Sequence, residues 1–226
     1  GSSNTALGSQ ALRNNTTASN NTAVGFQAGY YTTTANRLTA IGQFAGYGQA
    51  TGAENTYVGY GSGPNTVANA SGQYNTGLGT FALYSNTTGS ESTAVGYQAG
   101  YSNQSLNQNT TASNNTAVGY QAGYSTTTDG ENTAVGSQAF YSNTTGNRNV
   151  ALGREALYSN TTADGNTAVG FEAALNNTTA ELNSALGFNA LRTNTTGGNN
   201  VALGASAIYS NTTASNNTAV GYQALY

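Results

Sequence analysis

A short segment of β-prone and small residues closed by glycine, most often Thr-Ala-Val-Gly, returns along the whole chain. Aligned on that glycine, the copies fall at Gly8, Gly25, Gly42, Gly59, Gly79, Gly96, Gly119, Gly136, Gly153, Gly170, Gly187, Gly204 and Gly221. The step is 17 residues, except for 20 after Gly59 and 23 after Gly96. Seventeen residues is too short for a helical-hairpin repeat, whose units run about 33 to 47 residues, but suits one turn of a β-solenoid. The segment before each glycine reads as a strand, with Thr and a branched apolar residue, while Asn and Gly cluster where the chain must bend. No long window places apolar residues at helical spacing. The second half of the unit is less uniform. Arg154-Glu155-Ala156-Leu157-Tyr158 alone would suit a helical turn, but other copies carry Gly-Tyr there, as in Ala99-Gly100-Tyr101, so a second short strand is expected. The fold class that follows is all-β, a parallel β-solenoid of about thirteen coils of 17 residues. It forms a single array over 1–226, with irregular or expanded coils around 59–75 and 96–115.

Stacked coils place each column of the repeat in a ladder at about 4.8 Å, so thirteen of them would make a rod roughly 60 Å long. Val24, Ile41, Val58, Leu78, Val95 and their equivalents form one apolar column, and Ala28, Ala45, Ala82, Ala99 and Ala122 another. Leu12, Leu83, Leu157, Leu191 and Leu225 widen the expected core. With the branched column facing inward, its neighbours along the strand must face outward. Those neighbours are Ala23, Ala94, Ala117, Ala134, Ala151, Ala168, Ala185, Ala202 and Ala219. An outward stripe of alanine is most simply covered by another chain, which makes it the expected oligomer-packing ladder. A half-exposed column that merely suits a tight bend is the alternative.

Composition removes most chemistry. Charged residues make up 6% of the 226, against about a quarter in ordinary domains, and Cys, Met, Trp and His are absent. Without Cys or His there is no disulfide framework, no thiolate metal site, and no imidazole base or ligand. Sixteen Tyr and six Phe argue against a disordered polar tract. A net charge of −3 without lysine gives no footprint for nucleic acid or an anionic membrane. The longest apolar runs fall far short of the roughly twenty residues that span a bilayer, so no membrane insertion is expected. Neither a cofactor nor a metal is expected.

Segments such as Ser113-Asn114-Asn115-Thr116-Ala117-Val118-Gly119-Tyr120-Gln121-Ala122 resemble the head repeats of trimeric autotransporter adhesins. They are also similar to the Asn-Thr-Ala-x-Gly arrays of phage tail-fibre-type proteins. The resemblance covers nearly the whole chain and implies a left-handed parallel β-roll, usually three chains wide, serving as an adhesin head or fibre shaft. The chain departs from the adhesin pattern in its longer coil and in Thr22 or Thr116 where Val is frequent. Likeness of repeats supports architecture ahead of any binding activity.

Glu155 and Glu172 share a column in successive coils and would mimic the paired carboxylates of a glycosidase. That column is otherwise Gln, as in Gln98, Gln121 and Gln138, so a solvated polar stripe is the stronger reading and the chain is expected not to be an enzyme. Calcium is disfavoured because the Gly-Gly-x-Gly-x-Asp repeat of calcium-binding rolls is missing. Asn-Thr-Thr recurs at Asn15, Asn86, Asn109, Asn143, Asn160, Asn177, Asn194 and Asn211, each a formal N-glycosylation sequon. Asn at a bend with Thr in a ladder would leave the same pattern without sugar. Thr87-Thr88, Thr144-Thr145, Thr161-Thr162 and Thr195-Thr196 could instead form a flat array that orders ice. Recognition is expected where the repeat breaks, at Gly61-Ser62-Gly63-Pro64 and near Asn103 to Gln108, which should protrude as loops.

These observations lead to a structural segment of an extracellular fibre or filament, on a cell surface or virion. It would self-associate as a trimer or head-to-tail filament through small-residue ladders and open solenoid ends that lack polar caps. A surface adhesin or receptor-binding fibre that meets surface glycans or a host receptor is the alternative.

Overall fold

The computed structural model describes residues 1–64, 69–101, 112–128 and 130–226, and shows an all-β parallel β-solenoid whose coils repeat every 17 residues or so. No helix occurs among the described residues. Thirteen strands of three residues each mark the coils, and the chain forms two compact units. The unit Gly1–Asn115 holds β1 (Thr5–Leu7), β2 (Thr22–Val24), β3 (Thr39–Ile41), β4 (Thr56–Val58), β5 (Thr76–Leu78) and β6 (Thr93–Val95). The unit Thr116–Tyr226 holds β7 (Thr116–Val118), β8 (Thr133–Val135), β9 (Val150–Leu152), β10 (Thr167–Val169), β11 (Ser184–Leu186), β12 (Val201–Leu203) and β13 (Thr218–Val220).

Within each unit successive strands pair in parallel and like columns meet: Thr22 with Thr39, Ala23 with Ala40, Val24 with Ile41. The strands are short because glycine ends each one in a conformation that other residues reach only with strain. Gly153, for example, has φ 139°, and a Cβ there would lie 2.3 Å from the carbonyl oxygen of Gly170 in the next coil. The anchor glycine is thus fixed twice, by its dihedral and by the approach of its neighbour's backbone.

The second half of the coil is neither the expected second strand nor a helical turn. Left-handed residues recur at every second position: Gln138 and Phe140 at φ 55°, and Glu155 and Leu157 at 57° and 51°. A helix needs right-handed φ throughout, so Arg154–Tyr158 cannot form one. The amides on this path reach alternately backward and forward. Gln138 N donates to Tyr120 O (2.8 Å) and Phe140 N to Ala156 O (2.9 Å), so both neighbouring coils hold the strained stretch in place.

The interior reverses the expected orientation of the strands. Ala23, Ala94, Ala117, Ala134, Ala151, Ala168, Ala185, Ala202 and Ala219 are all buried, while the branched column is half-buried or exposed. The cause is width. The strand's inward methyl meets a second alanine column (Ala28, Ala45, Ala82, Ala99, Ala122) and larger side chains such as Leu83, Phe140, Leu157, Leu191 and Ile208 coming from the turn side, all buried. A branched residue at every rung would overfill that gap. Leu12, Leu83, Leu157 and Leu191 belong to the core as expected, whereas Leu225 is 61% exposed. The alanine ladder therefore packs inside its own coil and is not a surface for another chain.

One coil breaks the pattern. Tyr57 takes an alanine position and is fully buried. Its ring fits because glycine stands at three sites around it: a Cβ on Gly63 would lie 2.5 Å from the ring, and those on Gly77 and Gly46 3.2 Å from it. Gly61, Ser62, Gly63 and Pro64 are buried in the coil, so they do not protrude. Gly63 N donates to Ala82 O, and Gly48 N to Pro64 O. The expansion near Asn103 to Gln108 lies outside the described residues.

Candidate functional site

Two internal ladders run through the buried asparagines. In the column just ahead of each strand, Asn149 N donates to Asn132 Oδ1 (2.9 Å) and Asn149 Nδ2 to Ala163 O (2.8 Å); Asn166, Asn183 and Asn200 repeat both bonds. In the sequon column, Asn160 Nδ2 donates to Asn143 Oδ1 (3.1 Å) and to Ala163 O (3.2 Å), and Asn177 and Asn194 continue the row. These are buried amides whose partners are other buried groups, which is how a polar core is held without a desolvation penalty.

That geometry corrects the glycosylation expectation at the buried asparagines. Asn86, Asn143, Asn160, Asn177 and Asn194 are buried, and Nδ2, the atom a glycan would occupy, is a donor inside the coil. Asn15 and Asn211 are half-buried, with Nδ2 on Ala18 O and Ala214 O. Asn109 lies outside the described residues. The first threonine of each pair is likewise spent: Thr144, Thr161 and Thr178 donate Oγ1 to Thr161 O, Thr178 O and Thr195 O. In these coils the second threonine, as at Thr145, Thr162 and Thr196, is the exposed one, so the pairs form one open row instead of a flat double array.

The two carboxylates of the shared column each meet an arginine. Glu155 is bound by Arg154 (2.7 Å) and Glu172 by Arg192 (2.5 Å). The bond to Glu172 also holds the Arg192 guanidinium above its ordinary value. An open depression beside them is lined by Gln138, Glu155, Tyr158, Ser159, Leu175 and Asn176. Among the described residues no three Asp, Glu, His or Cys side chains gather as a metal site, and no helix is long and apolar enough to cross a membrane.

The buried polar cluster around Tyr57 was not foreseen from sequence. Its hydroxyl donates to Gln49 Oε1 (3.3 Å), and Gln49 Nε2 donates to Gly52 O (2.9 Å) and Gly72 O (3.2 Å). Burial pushes the Tyr57 phenol well above its ordinary value, a hydrogen bond with Asn75 working weakly against it. The signal was in the columns: where alanine becomes Tyr57, the next coil carries Gly77.

Two surfaces remain. The first is the outer face of the strands, with a Thr column and a branched column that include Ile41, Leu186 (45% exposed) and Leu203 (41%). The second is aromatic and differs between the units. In Thr116–Tyr226 the rings stack flat, Tyr124 on Tyr141 at 4.9 Å and 3°, and Tyr141 on Tyr158 at 5.1 Å and 5°. In Gly1–Asn115 Tyr30 with Tyr47 and Tyr84 with Tyr101 stack as well, at 20 and 9°, but most neighbours meet edge to face. Phe26, Phe44, Tyr60, Phe81 and Tyr97 follow one another at 5.1 to 6.5 Å and 68 to 79°. Tyr47 joins this row through Phe44, while Tyr84 and Tyr101 join through Phe81. Burial raises the Tyr47 phenol, assisted by Tyr31, and likewise Tyr101, assisted by Tyr84 and Tyr97.

No family model matches the chain, and no curated protein and no solved structure matches it.

Proposed function

We propose that the chain is a non-enzymatic structural segment of an extracellular fibre, on a cell surface or virion, whose copies associate laterally through the outward strand face. The observation that carries this reading is the division of labour across each strand. Inward positions are spent on coil-to-coil ladders, while the outward face presents branched side chains with no charge among them. Rungs repeating at about 4.8 Å are matched along their length by another ladder of the same period, which a second copy supplies. Exposed apolar rows of this kind mark interaction surfaces. The repeat's resemblance to adhesin heads and tail-fibre arrays supports the same reading.

Sedimentation of the purified chain tests it. The wild type should associate, and Leu186→Glu with Leu203→Glu should return it to monomer without changing its circular dichroism. A wild type that stays monomeric at high concentration would overturn the proposal.

A further inference from the structure

We infer that the edge-to-face aromatic belt of the Gly1–Asn115 unit is a binding platform for a neutral polysaccharide. The inference goes beyond a fibre role and does not depend on it.

The belt follows one face of five successive coils, those that start at Gly25, Gly42, Gly59, Gly79 and Gly96. It runs roughly 20 Å at the spacing of stacked strands. None of its rings is buried, and Phe26, Tyr60 and Tyr97 are 42 to 45% exposed. Packing alone does not require this arrangement. In the other unit the rings one residue after the glycine stack flat, Phe171 on Phe188 at 5.2 Å and 9°, and a flat stack presents only ring edges to solvent. Rings at 68 to 79° to their neighbours cannot all stand edge-on to solvent, and each ring in such a pair has one face that its neighbour's edge does not cover.

Charge selects the ligand class. In these five coils the three columns that build the belt, one, two and five residues after the glycine, contain no charged side chain. The same columns in the other unit carry Arg154, Glu155, Glu172 and Arg192, with two ion pairs among them. Arg13 touches the first unit's aromatic surface only at its end, on the Tyr30 ring and hydroxyl. The surface therefore offers apolar faces ringed by uncharged hydrogen-bonding groups: tyrosine hydroxyls and the amides of Gln27, Gln43 and Gln98. A pyranose ring has the complementary chemistry, a C–H face for the electron-rich aromatic face and hydroxyls around its rim. A glycan chain repeats that unit along its length, as the belt repeats its rings.

Native electrophoresis of the full chain through gels holding hydroxyethyl cellulose, laminarin, dextran or mannan tests the inference. At least one neutral polymer should retard the wild type. Tyr60→Ala and Tyr97→Ala, both at exposed positions, should each weaken that interaction roughly tenfold with unchanged circular dichroism. Tyr120→Ala, at the equivalent column of the other unit, should leave it unchanged. Retardation by none of the four, retardation by alginate alone, or equal retardation of the variants would overturn the proposal. So would loss of concentration-dependent sedimentation in Tyr60→Ala, which would assign the belt to contact between copies.

Discussion

At the scale of single residues the interior is decided by volume before hydrophobicity. Alanine and valine are both apolar, and transfer free energy alone would bury the larger one. The coil instead has room for one methyl per rung. Ala168→Leu should therefore cost about 1–3 kcal/mol through overpacking, whereas Val169→Thr on the outer face should change stability by less than about 0.5 kcal/mol. Urea titrations of the two variants check this, and equal losses would put the branched column back inside. Tyr57 is the exception that the neighbouring glycines make room for, and it gives the fold an alkaline limit. Its folded-state value lies above the ordinary 10.0 of an unfolded tyrosine, so burial favours the neutral phenol. That contribution is intact below pH 10 and is lost as pH climbs through the folded value. Tyr57→Phe should cost about 0.5–1.5 kcal/mol at neutral pH, one hydrogen bond, and should melt with a shallower fall above pH 10 than the parent.

The coil as an element rests on its glycine. Gly153→Ala must push a Cβ into the Gly170 backbone as well as hold a left-handed φ, and should cost about 3 kcal/mol or more. Gly221, at φ 127°, has only Ala224 Cβ within reach, 4.0 Å away, so Gly221→Ala carries the dihedral cost alone. Thermal melts that rank the two together would show that steric approach between coils is not what fixes the column. Much of this element was legible in sequence: the 17-residue period, the Thr-Ala-Val strand and the parallel in-register stack follow from spacing and β-propensity. The face of the strand was not, because a three-residue strand with two apolar members has no alternation to orient it. The clue was uniformity. The inward column is almost all alanine, as a steric limit demands, while the outward column mixes Val, Leu and Ile freely. The sequons misled because Asn-Thr-Thr is written the same way whether its amide meets sugar or the next coil's amide. The aromatic belt was invisible because ring orientation depends on which neighbours are also aromatic, and a column-by-column reading leaves that out.

Across the whole molecule, electrostatics contribute little. Among the described residues the ion pairs are Arg37 with Glu54, Arg148 with Glu131, Arg154 with Glu155 and Arg192 with Glu172, and the first two are largely exposed. Exposed pairs contribute about 0–1 kcal/mol each and weaken with salt. With 6% charged residues and a net charge of −3, the chain has little else to screen. Its stability should move by no more than about 1 kcal/mol between dilute buffer and about 1 M sodium chloride, where the Debye length is about 3 Å. Urea unfolding at the two ionic strengths measures the difference. A larger loss in salt would mean that ion pairs, and not the amide ladders, hold the coils together.

The flat tyrosine stack of the Thr116–Tyr226 unit has an optical consequence. The chain has no tryptophan, so its near-ultraviolet absorption and emission belong to tyrosine. Three chromophores held parallel about 5 Å apart, with interplanar angles of 3 and 5°, have coupled transition dipoles, and excitation of one is shared along the row. Face-to-face stacking of like chromophores weakens their absorption, so the tyrosine band of the folded protein should gain intensity on unfolding in urea. Tyr141→Leu leaves Tyr124 and Tyr158 two coils apart, about 10 Å, and should reduce that gain while the folded fraction before urea is unchanged.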